Sequence, residues 1–87
     1  MIVLVCYDIS DDKKRNKVAD ILLKKGVRLQ KSVYLLNIRK DNLKKLMHQL
    51  RQNIDLWDAV LICPVCKRCQ SMILQVNCDN REKAIVF

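Results

Sequence analysis

Glycine and proline are nearly absent from this chain. Each occurs once, as Gly26 and Pro64, in 87 residues. With apolar residues at 51%, that scarcity excludes collagen-like and disordered classes. Aromatic side chains are also few, with one Trp, two Tyr and one Phe, so extensive stacking on nucleobases is not expected. No apolar run approaches the roughly 20 residues of a membrane span. The apolar N-terminal stretch lacks the basic n-region of a signal peptide, and a cytoplasmic location is expected. There is no Gly-rich phosphate loop and no Ser-His-Asp set. The single histidine, His48, falls on the polar side of a predicted helix and reads as a solvated residue. Acidic residues number nine against 17 Lys plus Arg, a net charge of +8. That excess points to a polyanionic partner, most economically nucleic acid. A membrane surface is the competing reading, but the basic residues are not gathered on one long amphipathic helix. Five cysteines, an odd number, argue against a disulfide framework and for reduced thiols.

What is present begins with an almost wholly apolar run, Met1 to Tyr7, that ends on the carboxylate of Asp8. Residues 2–7 read as a strand, with Ile2, Leu4 and Cys6 on one face and Val3, Val5 and Tyr7 on the other. A basic segment follows directly. Loops beyond strand ends are where α/β proteins usually place their chemistry. Asp8 therefore has two readings, a metal ligand beside a phosphate-binding surface, or a residue that helps to cap the next helix. One carboxylate per chain is a poor metal site. Two copies of Asp8 brought together across a dimer axis would suit Mg²⁺, which takes one or two carboxylates, several waters and substrate phosphate. Asp11 and Asp12 fit capping and the positive end of a helix dipole.

A helix is predicted over about 12–25, capped by Ser10 or Asp11, with Val18, Ile21 and Leu22 as its apolar stripe and Gly26 as its stop. Residues 27–38 are rich in β-formers and broken by Gln30-Lys31-Ser32, which predicts two short strands or one bent strand. Asp41 or Asn42 is the expected cap of a second helix, in which Leu43, Leu46, Met47, Leu50 and Ile54 recur at helical spacing. Residues 59–63 form the next predicted strand, stopped by Pro64. Residues 71–76 and 84–87 each read as a short edge strand. The whole of 1–87 is one domain, with 76–87 as a C-terminal extension.

The order strand, helix, strand, strand, helix, strand is that of the ferredoxin-like α+β fold, βαββαβ. Right-handed crossovers put both helices on one face of the antiparallel sheet. A monomer of this size buries only about 60–65% of its unfolded surface. The second sheet face is apolar yet has no helix to cover it. A sheet-to-sheet homodimer resolves this, and a C-terminal segment folded back across the sheet is the alternative. Around Asp8, the residues Lys14, Arg15, Lys17, Arg28 and Lys31 form a set suited to a phosphate backbone. Cys63-Pro64-Val65-Cys66-Lys67-Arg68-Cys69 begins like an iron–sulfur run but lacks the fourth cysteine three residues on, since Cys78 is too far. A zinc site using Cys66, Cys69 and two other ligands stays open.

Three ordered stretches carry a family resemblance. They are Val3 to Asp12 followed by Arg15-Asn16-Lys17-Val18, then Gly26 to Tyr34, then Pro64-Val65-Cys66-Lys67-Arg68-Cys69. Together they resemble the small CRISPR-associated endoribonuclease family, the lesser partner of the spacer-acquisition integrase. The resemblance covers most of the chain. It implies a ferredoxin-like homodimer in which Asp8, paired with its copy in the second chain, is the catalytic metal-binding acid. It implies Mg²⁺ or another divalent cation as cofactor, and RNA or duplex DNA and the CRISPR integrase as partners. Arg15, Lys17 and Arg28 match basic family positions, and Tyr7, Ser32 and Tyr34 are supporting positions of the pattern. Lys17 stands where Arg is frequent, and Lys lacks the bidentate phosphate contact that Arg provides. Some family members look like metal-dependent nucleases, whereas others look like scaffolds that hold duplex DNA without using the carboxylate.

Overall fold

The computed structural model describes residues 1–78. Its elements are β1 (Ile2–Asp8), α1 (Asp12–Leu23), β2 (Gly26–Gln30), β3 (Val33–Asn37), α2 (Lys40–Gln52), β4 (Ala59–Val65) and a single turn of helix, α3 (Lys67–Gln70). The sheet runs β2-β3-β1-β4, and every neighbouring pair is antiparallel. This is the ferredoxin-like arrangement expected from the element order.

Alternation along β1 divides the core in two. Val3 and Val5 point to the helix side, where they pack with Val18 and Leu22 of α1, Leu46 and Leu50 of α2, and Tyr34 and Leu36 of β3. Both helices therefore cover one face. The opposite face holds Ile2, Leu29 and Leu35, with Leu4, Val27, Val33 and Val65 against them. No residue of α1 or α2 belongs to that second cluster. On the same face Leu61, opposite Cys6 in register, is 65% exposed.

The local signals act largely as anticipated. Asp11 caps α1, its carboxylate accepting the Lys14 amide at 2.9 Å. That contact satisfies one of the helix's orphan amides. Four details differ. The helix ends at Leu23 with Lys24 as its cap, and Gly26 already belongs to β2 at negative φ. Gly26 is needed for another reason: a Cβ there would collide with Leu35 O and lie 2.8 Å from Leu36 Cα. Neither Asp41 nor Asn42 caps α2. The cap is Arg39, which makes no side-chain cap bond, and Asp41 sits in the first turn, where its charge suits the helix dipole.

Pro64 does not stop β4, because β4 lies at the sheet edge and Pro64 pairs in register with Val3. An edge strand has one unpaired side, so a missing N–H is tolerated there. Residues 71–76 form no strand. The chain turns away after α3, and Leu74 and Val76 are 91% and 84% exposed. The second anticipated edge strand, 84–87, lies outside the described residues. No helix among the described residues is long and apolar enough to cross a membrane.

Candidate functional site

Asp8 is the last residue of β1. Its exposed carboxylate belongs, by alternation, to the face without helices. It lies opposite Ala59 of β4 and borders a shallow hollow with Cys6 and Leu61. The turn between β2 and β3 reaches the same end of the sheet, where the Tyr7 amide donates to Ser32 O at 3.1 Å. Ser32 holds the turn in the left-handed region at φ 67°, which places Lys31 and Ser32 beside the end of β1.

Tyr7, Tyr34 and Arg28 meet on the helix side of this end. The two tyrosine rings stack with centroids 5.8 Å apart, and their hydroxyls lie 3.4 Å from one another. Arg28, opposite Tyr34 in register, hydrogen-bonds to it. Burial of Tyr34, followed by its bond to Tyr7, pushes its phenol up to about 12. Desolvation disfavours the phenolate, so this hydroxyl stays protonated at any ordinary pH.

Lys14 and Arg15 are engaged within the chain. Lys14 Nζ pairs with Asp55, and that hydrogen bond holds the ammonium above its ordinary value. Arg15 Nη1 donates to Ile9 O at 3.1 Å while Nη2 pairs with Asp12. These contacts tie α1 to the loop after β1 and to the turn before β4. Lys17 and Lys31 are exposed. Lys13, Lys14 and Lys17 line a groove of about 210 Å³ with Gln52, Asn53 and Ile54. The structure thus brings Tyr7, Tyr34 and Arg28 together and sets Lys31 and Ser32 at the Asp8 end. Lys14, Arg15 and Lys17 are placed separately, on α1.

Two carboxylates of this region were not anticipated. Asp58 Oδ1 accepts the Ser10 amide at 3.3 Å, and its Oδ2 accepts the Asp55 amide at 2.9 Å. Asp58 therefore clamps the loop that follows Asp8 to the turn that precedes β4. That turn presents Leu56 and Trp57 to solvent, 103% and 75% exposed. Asp8, Asp55 and Asp58 would stand out together in the sequence only if the antiparallel pairing of β1 with β4 were already known.

The family model described as CRISPR associated protein Cas2 matches residues 1–73. The chain belongs to this family. It is 34% identical to the CRISPR-associated endoribonuclease Cas2 1 of Archaeoglobus fulgidus, with 100% of this chain and 99% of the relative covered. A second relative, the CRISPR-associated endoribonuclease Cas2 2 of Methanospirillum hungatei, is 35% identical, with 86% and 84% covered. The crystal structure of Streptococcus pyogenes Cas2 at pH 6.5 superposes with a TM-score of 0.80 at 27% identity, covering 87% of this chain and 99% of that one.

The residues of one chain fit a divalent cation in kind but not in number. Asp8 offers hard oxygen donors in water, as Mg²⁺ requires. Among the described residues, however, no group of three or more His, Cys, Asp or Glu is placed to hold an ion.

Proposed function

We propose that this protein is a divalent-metal-dependent endonuclease that cleaves phosphodiester bonds of RNA or DNA as a homodimer. In this reading it takes part in spacer acquisition with the CRISPR integrase. The observation that carries it is the position of Asp8, exposed at the end of β1 on the apolar sheet face that no helix covers. Packing that face on its copy buries Leu61 and draws the two Asp8 carboxylates toward one axis. The names of the relatives, CRISPR-associated endoribonucleases, support the same reaction class.

The chain's own residues would then act as follows. Asp8 and its copy hold the cation, which when bound polarises the phosphodiester and activates water. Lys17, Lys31 and Arg28 neutralise the phosphate backbone without reading bases. Lys14 and Arg15 contribute less to this, since Asp55 and Asp12 offset their charge; Arg15 anchors the loop after β1 and Lys14 the turn before β4. The protonated Tyr34 hydroxyl, with Tyr7 and Arg28, fixes the register of β1, β2 and β3 at this end.

A second reading is favoured by one observation, the single carboxylate that each chain contributes. It is a non-catalytic dimer that holds duplex DNA for the integrase. Labelled RNA and duplex DNA incubated with Mg²⁺, with and without a chelator, separate the two. Cleavage that the chelator abolishes supports the nuclease. Duplex binding with no cleavage under either condition supports the scaffold.

A further inference from the structure

The cysteines of 63–69 are used by neither reading above, and the structure sorts them. Cys63 lies on β4, and its thiol is directed at Pro64 O, 3.6 Å away. Cys6 is half-buried in β1. Cys66 is the N-cap of α3 and Cys69 stands one turn later, with the Gln70 amide bonded to Cys66 O at 2.9 Å. Residues three apart on a helical turn are side-chain neighbours. Here both thiols are free and exposed.

We propose that Cys66 and Cys69 form a thiol–disulfide exchange site for anionic low-molecular-weight disulfides of the glutathione class, with Cys66 attacking and Cys69 resolving. The geometry supplies the two requirements of such a pair, an accessible first thiol and a second accessible thiol one helical turn away. The assignment of roles follows from the asymmetry of their surroundings. The backbone of Cys69, followed by its thiol, holds the Cys66 thiol below its ordinary value. The neighbouring Cys66 thiol pushes the Cys69 thiol up. The thiolate is the nucleophile, so Cys66 reacts first. Lys67 and Arg68, exposed between the two cysteines, favour a carboxylate-bearing disulfide.

The exchange balances without a further reagent. The Cys66 thiolate attacks one sulfur of the external disulfide, a Cys66–glutathione bond forms, and one glutathione thiolate leaves. Cys69 then gives up its proton to that thiolate and attacks Cys66 Sγ. The mixed disulfide breaks and the second glutathione leaves. The protein dithiol is oxidised to a disulfide and the external disulfide is reduced to two thiols. Zinc held by Cys66 and Cys69 is the poorer reading, since no third ligand stands beside them among the described residues.

The test is intact-mass and peptide analysis after treatment with glutathione disulfide and acid trapping. The full-length wild type is expected to lose two hydrogens, retain no glutathione, and show a Cys66–Cys69 link. Cys69→Ser is expected to accumulate a mixed disulfide at Cys66, formed at least about tenfold faster than at Cys63. Cys63→Ser should leave the wild-type result unchanged. Stable glutathione adducts on the wild type, or reaction at Cys63 or Cys78 as fast as at Cys66, would overturn the proposal. The wild-type peptide map decides the matter even if a variant folds poorly.

Discussion

Asp58 accepts the Ser10 amide at 3.3 Å across 48 positions of sequence, joining the start of β4 to the loop that leaves Asp8. Its other oxygen accepts the Asp55 amide at 2.9 Å. Two backbone donors thus depend on one half-buried carboxylate. Asp58→Ala is expected to cost about 1–2 kcal/mol, the net worth of two hydrogen bonds of which the one from Ser10 is exposed. It should also lower nuclease activity, by loosening the loop beside Asp8. Urea unfolding checks the first effect and a cleavage assay the second. An unchanged unfolding midpoint would show that water replaces Asp58 without loss.

Leu61 is an exposed large apolar residue of β4 and shares its sheet face with Asp8. A lysine there should oppose packing of that face on a copy of itself, because burying its charge costs more than pairing with Asp8 of the same hollow returns. Leu61→Lys is predicted to shift the protein from dimer to monomer in light scattering while leaving its circular dichroism intact. Loss of cleavage should accompany the shift. A dimer that survives the substitution would place the interface elsewhere.

Tyr34 gives a pH signature. Its phenol stands at about 12 in the folded chain, against about 10 for an unfolded tyrosine. The folded state therefore holds its proton where the unfolded state has lost it. The contribution to stability is complete below pH of about 10 and is lost as pH rises toward 12. Urea unfolding on both sides of this window should show a smaller alkaline loss in Tyr34→Phe than in the wild type. Identical losses would show that Tyr34 does not carry the effect.

The lysines of α1 should differ in what they give to nucleic acid. Lys17 is exposed, whereas Lys14 is paired with Asp55. Lys17→Ala is expected to flatten the log–log salt dependence of duplex binding by about 0.9 for each phosphate that it leaves without a cation. Lys14→Ala should change that slope less. Because the chain has one tryptophan, exposed Trp57, three residues after Ile54 of the lysine groove, intrinsic fluorescence offers a label-free binding signal. Equal slopes for the two variants would mean that nucleic acid displaces Asp55 from Lys14.

Much of this was legible in the chain. The double apolar pattern of β1 announced a strand with apolar side chains on both faces, and helical spacing in α2 announced its buried stripe, with Leu46 and Leu50 innermost. The element order was sufficient for the ferredoxin-like fold. Asp8 at the end of β1 was visible because strand, acid and basic segment are consecutive. Contacts that depend on distant pairing were not visible. Lys14 and Asp55 are 41 positions apart, so nothing local marked Lys14 as an anchor rather than a phosphate contact. Asp58 was hidden for the same reason. Pro64 misled because its effect depends on whether the strand lies at an edge, which is a property of the sheet and not of the residue.

Whether Asp8 serves cleavage rather than binding is decided by comparing wild type with Asp8→Ala. Both proteins are incubated with labelled single-stranded RNA and duplex DNA in Mg²⁺, with binding followed in parallel through Trp57 fluorescence. Asp8→Ala is expected to bind as the wild type does, while its cleavage falls by at least about a hundredfold, on the scale of lost electrostatic catalysis. Cleavage by Asp8→Ala at the wild-type rate, or equal binding with no cleavage by either protein, would contradict a catalytic Asp8.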